Sequence, residues 1–198
     1  MSLQIDYKFI SQLEGGQILK GYAPLPQRSK SGVTIATGFD LGQRNQADLK
    51  KLNLPASLIT KLTPYLGLKQ QQAQKALNTS PLTISILEAS LIDKAVKAEH
   101  VGTLTLKYNA ATPLKTKKSA SSNKPIQTKA TFRSLPKQAQ TVIASVSFQY
   151  GVNLQSRTPK FWKAVTNENW KAAIKILKNF GDIYSTRRNK EAALLGTI

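Results

Sequence analysis

The sequence has no cysteine, one histidine and one methionine among its 198 residues. Without a thiol there is no disulfide framework, no thiolate nucleophile and no cysteine-ligated zinc. A single histidine, His100, nearly excludes a serine or cysteine triad. Carboxylates are also scarce: ten Asp plus Glu stand against 29 Lys plus Arg, a formal net charge of +19 with a pI near 10.2. No uncharged apolar run is long enough to span a bilayer. The start, Met1-Ser-Leu-Gln-Ile-Asp6, has no basic segment followed by an apolar one, so no secretory signal is expected there.

What is present reads as a folded domain. Hydrophobic residues make up 40% and charged residues 20% of the chain, within the globular range. At 21.7 kDa the chain suits one sizeable domain or two small lobes. The excess of cations predicts an anionic partner: nucleic acid, an anionic membrane surface or the acidic polymers of a bacterial wall.

Hydrophobic spacing predicts a first helix capped by Asp6, with Phe9, Ile10 and Leu13 on one face and its end at Gly15-Gly16, so that Glu14 is its last side chain. The glycine-interrupted stretch Gly32 to Gly42, with Val33-Thr34-Ile35 at its centre, predicts a short strand and turn in a small hairpin. Helical patterns follow at 46–62, 69–78 and 83–99, the last with Ile84, Leu87, Leu91 and Ala95 as its stripe and Ser85 with Glu88 as a capping box. From Tyr108 to Arg133 the chain turns to Lys, Ser, Thr and Ala, and 115–129 reads as an exposed basic loop. Segment 136–150, apolar in several directions, predicts a helix buried nearly all round. Helices are expected again at 160–165, 167–180, around Trp170, Ile174 and Leu177, and 185–195. The fold class is α+β, predominantly α.

With cysteine absent and histidine nearly so, acid-base work falls to carboxylates. Asp6 reads as a cap, and Glu88, Asp93, Glu99 and Glu168 as solvated helix residues among lysines. Glu14, at the end of a helix, would face the negative pole of the macrodipole, which favours the protonated form of a general acid. Its alternative is an ordinary surface glutamate. Asp40 lies in a partly apolar glycine-rich segment where charge must be hydrogen-bonded or used. Its alternative is a turn aspartate. Neither a P-loop nor a dinucleotide-binding pattern occurs in that segment.

Glu14-Gly-Gly16 and Gly32-Val-Thr34-Ile-Ala-Thr-Gly38-Phe-Asp40-Leu-Gly42 resemble the phage-type lysozymes, and more closely their pesticin-like toxin branch. Ile143 to Gly151, ending Phe-Gln149-Tyr-Gly, resembles the central helix of that family. Phe161 to Leu177 resembles its tryptophan-bearing helix pair, and Tyr184-Ser-Thr-Arg-Arg188-Asn-Lys-Glu191 its closing helix. Many phage lysozymes carry an aspartate between the catalytic glutamate and the threonine. Residues 15 to 33 contain no acid, whereas the pesticin-like pattern puts the aspartate six residues after the threonine, where Asp40 stands.

The resemblance implies one lysozyme-like domain over 1–198, with a small lobe of about 1–68 carrying the hairpin and a helical lobe of about 69–198 that includes the basic loop. It implies hydrolysis of the β-1,4 bond between N-acetylmuramic acid and N-acetylglucosamine of peptidoglycan, with inversion. Glu14 would be the acid, Asp40 the base and Thr34 its hydrogen-bonding partner. Tyr22, Phe39 and Gln149 would border the substrate, with core packing as the alternative for all three, and Arg188 would orient Glu14. No metal or cofactor enters such chemistry. The setting implied is a monomeric antibacterial toxin acting in the periplasm or wall of a target cell. A secretion-system or receptor-binding module would deliver it, and a cognate immunity protein would protect the producer. A phage endolysin, an inactive relative, a cationic membrane-disrupting protein and a nucleic-acid-binding module are the competing readings. The last lacks a recognisable motif, so no nucleic acid partner is expected.

Overall fold

The computed structural model describes residues 2–117 and 126–198. In chain order its elements are α1 (Tyr7–Ser11), β1 (Ile18–Tyr22), β2 (Thr34–Ala36), β3 (Phe39–Asp40), α2 (Gln46–Lys51), α3 (Ala56–Leu62), α4 (Gln70–Thr79), α5 (Ile86–Ala111), β4 (Leu114–Lys117), β5 (Ile126–Lys129), α6 (Lys137–Tyr150), α7 (Leu154–Arg157), α8 (Pro159–Thr166), α9 (Trp170–Lys178) and α10 (Ser185–Leu195). The class is α+β, mostly helical, with a three-stranded antiparallel sheet near the N-terminus. Two compact units result. One holds residues 14–99, the other the residues before 14 and those from 100 onward.

In the 14–99 unit the sheet order is β1-β2-β3, and the register sets Thr34 opposite Asp40 and Ile35 opposite Phe39. Side chains alternate between the faces of a strand, and a directly paired set shares a face. Val33, Ile35, Leu41, Leu49, Leu58, Leu62 and Ile92 are fully or almost fully buried in the core of this unit. The base of the hairpin is tight, because a Cβ on Gly42 would stand 2.6 Å from the Gly32 Cα and 2.6 Å from the Leu68 carbonyl oxygen. Only glycine fits at both positions.

The other unit is organised around α6, whose residues from Ala139 to Ser147 are all buried, as its all-round apolar pattern predicts. Among the described residues its interior polar side chains are paired, apart from the Trp162 indole N–H, which has no hydrogen-bond partner. Gln140 accepts from the Gln4 backbone at 2.9 Å and donates to the Leu135 carbonyl at 3.0 Å, and Thr141 accepts from the Asp6 backbone at 2.9 Å. Tyr108 meets Trp162 edge-on at 5.9 Å and donates its hydroxyl hydrogen to the Val165 carbonyl at 2.9 Å.

Three local expectations need correction. The first helix stops at Ser11 rather than at the glycines, so Glu14 lies in the connection to β1. Helix α5 runs on to Ala111, and its buried stripe differs from the predicted one. Leu87 is 70% exposed, while Ala89 and Ile92 are fully buried. Finally, the segment 115–129, expected as a loop, carries an antiparallel ladder, Leu114 pairing with Lys129 and Lys117 with Ile126. The alternation of aliphatic or β-branched residues with Lys and Gln is a strand signal that the lysine content obscures. The stretch 118–125 of that segment lies outside the described residues. Tyr108 and Phe132, which flank it, are both core residues in edge contact at 5.6 Å.

The lone histidine is structural. His100 Nε2 lies 2.9 Å from the Ser147 hydroxyl, its ring rests on Phe148, and burial holds its pKa below the ordinary value of 6.5. The unfolded chain therefore binds this proton more readily than the fold does. The contribution is complete above the unfolded pKa and is lost as pH falls toward the lower folded one. Urea midpoints should thus fall as pH drops below about 6.5, and His100→Gln should flatten that part of the profile.

Candidate active site

Glu14 stands in the irregular connection between α1 and β1. Helix α1 has only five residues and ends three positions before Glu14, so its macrodipole does not act on that carboxylate. What the carboxylate meets instead is a cation. Lys97 Nζ on α5 is 3.8 Å from Glu14 Oε2, and the two side chains are 20% and 16% exposed.

Thr34 and Asp40 face each other across the hairpin, as the register of β2 and β3 requires. Asp40 Oδ1 accepts from the backbone N–H groups of both Gly32 and Gly42, each at 2.9 Å. The turn-aspartate alternative therefore describes one of its two oxygens, which clamps the glycine contact at the hairpin base. Oδ2 has no protein hydrogen bond among the described residues. Thr34, 5% exposed, donates to the Gly32 carbonyl at a long 3.4 Å, which leaves its oxygen free to accept.

Two residues of α5 that sequence reasoning places elsewhere or passes over frame this region. Asp93, expected as a solvated surface acid, accepts from the Thr37 backbone at 3.1 Å, the Thr37 hydroxyl at 2.8 Å and the Gln17 amide at 2.8 Å. Lys97 follows one helical turn later on the same face. The signal for Asp93 is its place beside Ile92, which a stripe drawn through Leu87 and Leu91 puts out of phase.

Residues 4–171 match the family model described as pesticin, "bacterial toxin homologue of phage lysozyme, C-term". The chain belongs to the pesticin family. No curated protein matches it. As a pesticin-type lysozyme homologue it carries the implied activity of a peptidoglycan-hydrolysing toxin, with peptidoglycan as substrate. Among the described residues, no helix is long and apolar enough to cross a membrane.

The remaining predicted site residues occupy varied surroundings in this pesticin homologue. Tyr22 is 39% exposed at the end of β1. Phe39 is buried, with the Arg44 guanidinium 5.3 Å from its ring centre. Gln149 accepts from Arg188, which also binds Glu191 and, at 2.9 Å, Asp182. Arg188 is 1% exposed and lies 4.5 Å from the Phe180 ring centre. Burial works against the charge of Asp182, but hydrogen bonds from Tyr150, Arg188 and the Tyr184 backbone hold its carboxyl below the usual range. Neighbouring Arg187 donates to the carbonyl of Leu13, the residue before Glu14, at 3.2 Å, and to the Ser145 carbonyl at 2.9 Å. Both arginines lie beyond the matched span.

The Asp40 clamp separates shape from chemistry. Asp40→Ala leaves two backbone N–H groups unpaired and should lower stability by about 2–4 kcal/mol, whereas Asp40→Asn retains an acceptor oxygen and should cost less than about 1 kcal/mol. Gly42→Ala should cost about 3 kcal/mol or more through backbone collision. Urea denaturation monitored by circular dichroism measures all three.

Proposed function

We propose that the chain is a muramidase, cleaving the β-1,4 bond between N-acetylmuramic acid and N-acetylglucosamine with inversion, and that it serves as the lytic domain of an antibacterial toxin or effector. The observation that carries this reading is the Asp40 carboxylate, fixed through one oxygen and open at the other, opposite Thr34 in a pesticin-family chain.

The reaction needs an acid on the leaving oxygen and a base on water at the opposite face of the sugar. Glu14 gives its proton to the glycosidic oxygen as the bond from the anomeric carbon breaks. Asp40 Oδ2 takes a proton from the attacking water, whose oxygen forms the new bond to that carbon, and Thr34 Oγ1 accepts the water's second hydrogen to hold it in line. A water, rather than the carboxylate, is the nucleophile. The product is a hemiacetal of inverted configuration. Tyr22 offers an exposed aromatic face to a sugar, while Phe39 supports the hairpin from beneath. Gln149, its carbonyl oxygen taken by Arg188, keeps its amide NH2 as a donor, the group by which the resemblance assigns it to substrate binding. In place of the orientation of Glu14 that the resemblance implies, Arg188 acts in this scheme through Gln149, to which it donates.

The charge fits the target. In sequence, the unit built from residues before 14 and after 99 contains only Asp6, Glu168, Asp182 and Glu191 as acids, and Lys8, Lys160, Lys163, Lys171, Lys175 and Lys178 are among its exposed cations. Anionic wall polymers attract such a surface at a rate that falls with salt. Action in a target cell's periplasm or wall, delivery by a secretion or receptor-binding module, and a cognate immunity protein complete the proposal. The protein works as a monomer.

Digestion of purified peptidoglycan tests it. Wild type should release disaccharide-peptides with reducible muramic acid ends, read by mass spectrometry after borohydride reduction. Glu14→Gln and Asp40→Asn should each lower the rate at least about 100-fold. Intact glycan strands with the wild type would dismiss the reading.

A further inference from the structure

We propose that Asp93 is a positioning residue of this site: from α5 it binds the hairpin turn and the segment that follows Glu14 together, and so sets the distance between Asp40 and Glu14. The inference rests on the assignment of those two carboxylates to catalysis.

The geometry is specific. Thr37 lies midway in sequence between Thr34 and Asp40, at the tip of the turn between β2 and β3. Its backbone N–H reaches Asp93 Oδ1 at 3.1 Å and its hydroxyl reaches Oδ2 at 2.8 Å, so one residue is held at two points by the two oxygens of a single carboxylate. Two-point attachment fixes orientation as well as distance. Oδ2 also receives the Gln17 amide at 2.8 Å. Gln17 stands three residues after Glu14, immediately before β1. The hairpin is thereby held at both ends, at its base by Asp40 on Gly32 and Gly42 and at its tip by Asp93. On the next turn of α5, Lys97 pairs with Glu14 itself.

A carboxylate is required because all three partners donate. An asparagine offers one acceptor oxygen and turns an NH2 group toward donors, so Asp93→Asn keeps the shape while breaking part of the set. Displacing a reacting group by about 1 Å costs on the order of 100-fold in rate. Both oxygens of Asp93 are occupied by Thr37 and Gln17 and make no contact of their own with substrate in this scheme, so its effect should appear in turnover with little change in KM.

The test measures kcat and KM on soluble glycan oligomers from peptidoglycan for the wild type, Asp93→Asn, Thr37→Val and the double variant, with thermal unfolding of each and Glu14→Gln as the inactive control. Asp93→Asn should lower kcat by about 10- to 100-fold with KM within about two-fold. Thr37→Val should fall in the same direction, and the double variant should be no worse than the poorer single one, because both break the same link. A folded Asp93→Asn protein with wild-type kcat overturns the inference, as does additive loss in the double variant, or a loss equal to the unfolded fraction at assay temperature. Should Asp93→Asn fail to fold, Thr37→Val, which leaves the carboxylate in place, decides alone by the same kcat criterion. A wild type without muramidase activity removes the underlying reading and the inference with it. An active wild type, an inactive Glu14→Gln and an unaffected Asp93→Asn reject the inference only.

Discussion

A single oxygen, Asp40 Oδ1, takes the N–H groups of Gly32 and Gly42 at the point where the two glycine backbones touch. The contact brings the chain entering β2 against the chain leaving β3, and the shared acceptor offsets the desolvation of two buried donors. The register that sets Thr34 opposite Asp40 is pinned by that closure. With the register go the burial of Val33, Ile35 and Leu41 in the core and the availability of the remaining carboxylate oxygen, since a slip of one residue would exchange the faces. Structure and proposed chemistry therefore share one side chain, one oxygen each.

Carboxylates are too few in this chain to be idle, and nearly all have identifiable work. Asp6 caps α1 through the Phe9 backbone, and that bond, with Lys137 nearby, holds its carboxyl below the usual range. Asp48 closes a capping box with Asn45. Glu88 does the same with Ser85 while Lys61 lowers its pKa. Asp182 and Glu191 neutralise the buried Arg188, a group whose burial without partners would be prohibitive. Against this background Glu14 is held, among the described residues, only by a 3.8 Å contact with Lys97, and Asp40 is committed through one oxygen, as the proposed roles of acid and base require.

Much of this is legible in the residues. Periodicity locates most of the helices, though not the end of α1 or the full run of α5, Ser85 and Glu88 announce the cap of α5, and the all-round apolar pattern of 136–150 marks the centre of one core. The glycines of 32–42 and the Val33-Thr34-Ile35 core between them point to a short strand and turn, whereas the close approach of Gly32 to Gly42 shows only in the fold. The rest depends on contacts distant in sequence. Asp93 looks like any helical aspartate among lysines until the fold brings Thr37 and Gln17 to it. Gly15-Gly16 is a strong stop signal that places the end of α1 too late, since the helix already breaks after Ser11. Strand alternation at 114–117 and 126–129 is masked by lysine, whose charge reads as loop although its aliphatic stem tolerates a strand.

The central claim is that Asp40, clamped by one oxygen, activates water with the other instead of attacking the sugar. Proton NMR of the first product formed from a β-linked muramyl glycan oligomer, recorded before mutarotation equilibrates the anomers, addresses it directly. Inversion gives the α-anomer first. A β-anomer as first product would mean a retaining mechanism with a different nucleophile and would contradict the role of Asp40 as the base that activates water.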